Sequence, residues 1–201
     1  MGAATPNAAS PPTSLSSAPL ALDLSCQRVQ IRPVEAGDIG DLLEVNGDPE
    51  VTKFLPYETW KGPQDGQAWL ERVQAMAATG TGQQLVIVSK AAARTVGSLL
   101  LFRYDAGSAR AELGYVLKRS CWGQGLMHEA LAAVISHCFG DMALQRLEAE
   151  ANPANLASNA TLCRLGFSCE GRLRQRWVAK GRRYDTNFYG LLRDEWRGAG
   201  T

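Results

Sequence analysis

Residues 122–131 read Trp-Gly-Gln-Gly-Leu-Met-His-Glu-Ala-Leu, and Gly123 and Gly125 stand between a strand-like run ending near Leu117 and a helical pattern. A helix start leaves several backbone N–H groups without partners, and its dipole favours negative charge there. With no side chains at the two glycines, an anionic group can approach those amides closely. The junction therefore suits a phosphate or pyrophosphate. A nucleoside-triphosphate loop would continue Gly125 with Lys, where this chain has Leu126. A dinucleotide loop would put a third glycine where His128 stands, inside a βαβ unit, whereas the strand here closes a meander. Taken alone, the motif is equally compatible with a turn that binds nothing.

The flanking pattern predicts one mixed α/β domain. Gln27–Pro33 reads as an opening strand with Val29 and Ile31 on one face, and Ala36–Asn46 as a helix with an Ile39, Leu42, Leu43, Val45 stripe. Asp48-Pro49 supplies a cap and first-turn proline for a short helix through Phe54, and a longer helix is expected over Pro63–Ala78. Gln84–Ser89, Thr95–Phe102 and Ala109–Leu117 are β-rich runs with short connections, the signature of an antiparallel meander. Then come a helix over Gln124–Phe139, a strand over Leu144–Ala151, a helix over Leu156–Leu165, and two last strands, about 169–179 and 183–192.

Composition narrows the function classes. With 21 basic and 20 acidic residues in 201, the net charge of +1 argues against a nucleic-acid-binding protein. The basic run Arg172, Arg174, Arg176, Lys180, Arg182, Arg183 reads as a solvated strand edge. Five cysteines, at 26, 121, 138, 163 and 169, show no zinc-knuckle spacing and suit reduced thiols in the cytoplasm. Residues 1–25, rich in Ala, Ser and Pro, are expected to be a flexible tail without the features of a secretory signal. No run approaches the ~18 apolar residues of a membrane helix. The expected organisation is thus a tail over 1–25, a domain over 26–197 and a short tail over 198–201.

A second block decides the reading of the first. Residues 152–167, Asn-Pro-Ala-Asn-Leu-Ala-Ser-Asn-Ala-Thr-Leu-Cys-Arg-Leu-Gly-Phe, put Asn155 and Ser158 three apart at a helix start. Alone they are capping residues. Together with Arg32-Pro33, Trp122-Gly123-Gln124-Gly125, Leu165-Gly166-Phe167, Glu170-Gly171 and Leu191-Leu192-Arg193…Trp196, they form an ordered series. In that series the sequence resembles the GNAT superfamily of acetyl-CoA-dependent N-acetyltransferases, in particular the ribosomal-protein alanine N-acetyltransferase branch, over about residues 27–197.

The resemblance implies a mostly antiparallel central sheet flanked by helices, with splayed central strands. It implies that the loop opened by Trp122, with the amides of Gly123, Gln124, Gly125, Leu126, Met127 and His128, holds the coenzyme A pyrophosphate. Strand backbone at Val116 and Leu117, together with Asn155, would meet the pantetheine arm, and Ser158 would lie near the thioester sulfur. Met127 departs from the Gly or Ala usual at its position; a side chain turned into the core would leave its amide usable.

Chemistry sets the remaining expectations. An attacking amine must be neutral, yet α-amino groups titrate near ~8 and lysines near ~10.4, so a base is needed. Candidates are Glu112, equally readable as an exposed strand carboxylate, and Glu170, which is preferred because the related branch carries a carboxylate there. A backbone N–H near Leu117 suits the oxyanion, and Ser158 the departing thiolate, with Tyr184 or Tyr189 in reserve. Tyr57 and Trp60 are candidates to line the acceptor pocket. The expected activity is direct acetyl transfer, in a ternary complex, to a primary amine of a protein N-terminus or small molecule. It requires no metal, nucleic acid or membrane, and a homodimer could form through the terminal strands. The alternative from another class is an inactive CoA-binding regulatory module.

Overall fold

The computed structural model describes residues 22–198; the remainder of both expected tails lies outside the described residues. In chain order the elements are β1 (Leu24–Ser25), β2 (Val29–Pro33), α1 (Ile39–Asn46), α2 (Pro49–Thr52), α3 (Pro63–Ala78), β3 (Gly82–Ser89), β4 (Arg94–Asp105) and β5 (Arg110–Leu117). They continue with α4 (Leu126–Phe139), β6 (Arg146–Ala151), α5 (Leu156–Arg164), β7 (Ser168–Ala179) and β8 (Arg182–Leu192). The strands form one sheet in the order β1-β2-β3-β4-β5-β6-β8-β7. Every neighbouring pair is antiparallel except β5 and β6.

Helices cover both faces of the sheet, and β3 shows why its sequence is an unbroken apolar run. Leu85 and Ile87 share one core with Leu131 and Ile135 of α4, while Val86 packs with Leu42 of α1 on the opposite face. The ordered fold begins earlier than expected. Leu22 is buried in the α4-side core, and Leu24 and Ser25 pair with Ile31 and Gln30 of β2. A strand of two residues is too short to carry a readable alternation.

Local chemistry accounts for the element ends. Asp48 caps α2 by accepting from the Glu50 amide at 3.0 Å, and this short helix stops at Thr52 rather than Phe54. Gly125 has a φ of 75°, in the left-handed region, so α4 starts at Leu126 rather than Gln124.

The feature that creates a site is the parting of β5 from β6. Their parallel pairing runs only from Arg110↔Arg146 to Leu113↔Ala149, although β5 continues to Leu117. Beyond Ala151 the chain turns through Asn152-Pro153 into α5, whose first turn fills the widening gap. Asn159 fixes that turn. Its Nδ2 donates to the Asn152 and Asn155 carbonyls at 2.9 and 2.6 Å, and its Oδ1 accepts from Asn187 Nδ2 and the Tyr189 hydroxyl at 2.9 and 2.6 Å. All four hydrogen-bonding positions of this amide are thereby used.

Candidate active site

One cavity, of about 730 Å³, opens at the start of α4. Gly123, Gly125, Leu126, Met127 and His128 line it, with Leu117 from β5. Gly123 and Gly125 both have positive φ, at 72° and 75°, which turns the loop so that successive amides lead into the helix. Met127 is buried and belongs to the core between α4 and the sheet, as its departure from the usual small residue required. Arg28, unremarked in the sequence, braces the loop. It donates through Nη1 to the Gln124 carbonyl at 2.7 Å and through Nε to Glu129 at 2.6 Å. Arg164 of α5 lines the same cavity, so two guanidinium groups and a helix N-terminus face it. This donor set and volume fit a pyrophosphate-bearing cofactor.

Trp122 and Val116 serve differently from expectation. The Trp122 indole donates to the Leu117 carbonyl at 2.8 Å and holds down the end of β5. Lys118 donates its amide to Val96 of β4 at 2.8 Å. By the alternation of a strand, Val116 therefore directs its backbone to β4 and Leu117 directs its N–H into the gap left by β6. Of the two expected backbone contacts, Leu117 alone has the orientation for one; Val116 offers its side chain to the neighbouring cavity.

That second cavity, about 480 Å³, is lined from β5 by Glu112, Tyr115 and Val116, from β6 by Glu150, and from the α5 start by Asn155 and Ser158. Asn155 caps α5, its Oδ1 accepting from the Ser158 amide at 3.2 Å. The Ser158 hydroxyl lies 2.9 Å from the Tyr115 hydroxyl. Burial pushes the Tyr115 phenol up to about 12, so it stays protonated at neutral pH.

Glu112 is buried, not the exposed strand carboxylate its alternation also allowed. Its Oε2 accepts from Arg103 Nη1 at 2.7 Å, and no donor to its other oxygen is found among the described residues. Burial raises its pKa above the usual carboxylate value, Arg103 only partly offsetting this. Arg103 reaches it from a β-bulge in β4, where its own φ is 51°. Glu150 is more heavily committed. Trp177 Nε1 donates to its Oε2 at 2.6 Å, and Arg103 and Arg176 lie 3.4 Å from its Oε1.

Two expected site residues are elsewhere. Glu170 is bound by Arg146 through both oxygens, at 2.8 and 2.6 Å, and is absent from the lining of both cavities. The Arg146 guanidinium lowers its pKa, which suits an ion pair and not a base. Trp60 is buried in the core with Leu42 and Val86; its neighbour Trp69, ring centroids 5.6 Å apart, lines the cavity in its place. Tyr57 does line the cavity, its hydroxyl donating to Asn46 Oδ1 at 2.8 Å, with burial raising its pKa. Of the reserve tyrosines, Tyr184 lines the cavity and Tyr189 is tied to Asn159. Arg28, Arg103, Tyr115, Glu150 and Trp69 were not singled out from the sequence. Parity puts Tyr115 on the face of β5 opposite Glu112, so no local pattern marked it; like the others, it depends on contacts distant in the chain.

A sheet that splays beside a glycine-rich helix start, with a buried carboxylate and a hydroxyl pair at the parting, defines an acyltransferase that uses a coenzyme A thioester. Comparison with known proteins agrees. The sequence profile of the acetyltransferase (GNAT) domain matches residues 28–168. An uncharacterised N-acetyltransferase of Bacillus licheniformis is 31% identical over 175 residues, 87% of this chain and 98% of that protein. The ribosomal-protein-serine acetyltransferase of Escherichia coli is 32% identical over 99 residues, 49% of this chain and 55% of that one. Mycobacterium smegmatis RimJ, solved in complex with CoA-disulfide, superposes with a TM-score of 0.79 at 25% identity, covering 90% of this chain and 92% of that chain. The chain belongs to the GNAT family and is an acetyl-CoA-dependent acetyltransferase.

Proposed function

We propose that this enzyme transfers acetyl to a primary amine by direct attack in a ternary complex, the acceptor being a protein N-terminus or a small-molecule amine. One observation carries the reading: the parting of β5 and β6 brings a buried carboxylate, one of whose oxygens has no donor among the described residues, the Leu117 N–H and the Ser158–Tyr115 hydroxyl pair to two cavities beside the end of β5. Acetyl-CoA, when bound, supplies the activated acetyl thioester. The amides from Gly123 to His128 hold its pyrophosphate, helped by Arg28 and Arg164, and Asn155 lies along the approach to the sulfur.

Glu112, rather than Glu170, takes the proton from the amine, directly or through water. Its raised pKa makes it a better base than an ordinary surface carboxylate. The Leu117 N–H meets the carbonyl oxygen as it gains charge. Ser158 gives a hydrogen bond or proton to the departing sulfur, with Tyr115 behind it. Tyr57 and Trp69 shape the acceptor slot. The activity resides in one domain over residues 26–197, extended by the buried Leu22 and the short strand Leu24–Ser25.

Reduced, unpaired cysteines fit a cytoplasmic enzyme, and among the described residues no helix is long and apolar enough to cross a membrane. A homodimer would form through the outer edge of β7, and light scattering reads its mass. The reaction is tested by calorimetric titration with acetyl-CoA against NAD and ATP, followed by thiol release with amine acceptors. Selective binding at about −8 kcal/mol, a micromolar constant, with amine-dependent release supports the reading. Absence of acetyl-CoA binding overturns it.

A further inference from the structure

The charges around the acceptor cavity are unevenly distributed. Its carboxylates, Glu112 and Glu150, are buried and both touch Arg103. Its cations, Lys53, Arg72 and Lys180, are exposed and poorly compensated. Lys180 donates to a neutral acceptor, the Thr52 carbonyl, at 2.7 Å. Lys53 stands 3.7 Å from Glu50, an exposed pair. Arg72, on α3, has no hydrogen bond or ion pair among the described residues. Elsewhere the exposed guanidinium groups near acids are engaged: Arg94 with Asp41 and Glu44, Arg119 with Asp48, Arg172 with Asp185. The β7–β8 hairpin, which supplies Trp177 and Lys180 to the cavity wall, also exposes Arg174, Arg182 and Arg183. A cleft rimmed by one sign of charge concentrates partners of the other sign.

Building on the reading of this cavity as the acceptor site, we propose that the acceptor is an amine carrying a carboxylate, seated with its amino group at Glu112 and its acid at Arg72. Both groups line the same cavity, the carboxylate buried and the guanidinium exposed, and this difference gives the acceptor one orientation. A free amino acid and a peptide with an acidic residue next to its N-terminus share this chemistry, and both belong in the test.

The experiment uses the full chain with acetyl-CoA and follows thiol release with short C-terminally amidated peptides beginning Ala-Glu, Ala-Gln or Ala-Lys, and with free glutamate and aspartate. The expected result is a kcat/KM for Ala-Glu, or for the free acidic amino acids, about tenfold above that for Ala-Lys at low salt, a preference that shrinks as salt screens the exposed rim. Arg72→Glu should reduce that ratio about tenfold, while Arg72→Lys keeps most of it. Because the readout is a ratio within one variant, partial loss of folded protein does not imitate the effect. Equal use of acidic and basic peptides, or a ratio unmoved by Arg72→Glu, overturns the inference while the acetyltransferase reading stands. Thiol release with none of these acceptors also overturns it; if acetyl-CoA in addition fails to bind, the reading of the whole site falls with it.

Discussion

The two cavities on either side of the end of β5 are built in contrasting ways. The proposed cofactor side centres on backbone, with Arg28 and Arg164 beside it: a glycine turn with two left-handed residues runs into one helix, and the key stretch is contiguous from Gly123 to His128. The acceptor side is mostly side chains, gathered from the loop after α2, α3, β3, β4, β5, β6, α5 and the β7–β8 hairpin. A ligand gripped through amides and a helix dipole demands little side-chain identity, so the motif is compact. An acceptor recognised by distant side chains can change without disturbing the first cavity. One fold can thus keep its cofactor and alter its substrate.

The sharpest way to break this contrast is at Gly125. Glutamate there would force a left-handed φ on a residue with a Cβ and put a negative charge at the helix start. Acetyl-CoA affinity should fall by more than about a hundredfold, read by calorimetry. Retained affinity would show that the turn does not hold the pyrophosphate.

The matching cut on the acceptor side is Glu112→Gln. Turnover should drop by roughly two to four orders of magnitude, the range of general base catalysis, with acetyl-CoA affinity maintained. The parent enzyme should gain rate with pH as Glu112 ionises, beginning above the ordinary carboxylate range because burial raises its pKa. The variant should lose that limb of the profile. The same raised pKa means that ionising Glu112 removes stability as pH rises through its folded value, so the neutral Gln variant, which escapes that loss, should melt no lower than the parent at neutral pH. A rate profile that survives the substitution would move the base to Glu150 or to water.

Much of the fold was legible because periodicity and punctuation agree locally. Pro63–Ala78 appears with the expected bounds, and the β3–β5 meander, the α4 crossover and the splay follow the expected order. The glycine turn that opens α4 was legible for the same reason. The acceptor site was not, since its selection depends on which face a residue takes and what lies across the gap. Trp60 and Trp69 make the point: both are aromatic, and only tertiary packing sends one to the core and the other to the cavity. Trp60→Ala should therefore destabilise the fold by about 3–5 kcal/mol, read by denaturant unfolding. Trp69→Ala should cost less stability and raise the acceptor KM. Reversed results would exchange their roles.

The smallest expected effect belongs to Glu170, where resemblance and geometry part company. Position alone made it the preferred base, yet both of its oxygens are held by Arg146, which also bonds Glu148 at 2.8 Å. The pair is partly exposed, so its loss should cost only about 0.2–1 kcal/mol, the range for surface ion pairs. The sign follows from its lowered pKa. The pair stabilises the fold above the unfolded carboxylate value and loses that contribution as pH falls through the folded one. Glu170→Gln should accordingly lower the melting temperature slightly at neutral pH and not in strong acid, while the pH–rate profile keeps its shape. A lost basic limb in this variant, with a normal profile in Glu112→Gln, would transfer the proton-accepting role to β7 and require that strand to swing toward the cavity when the ligands bind.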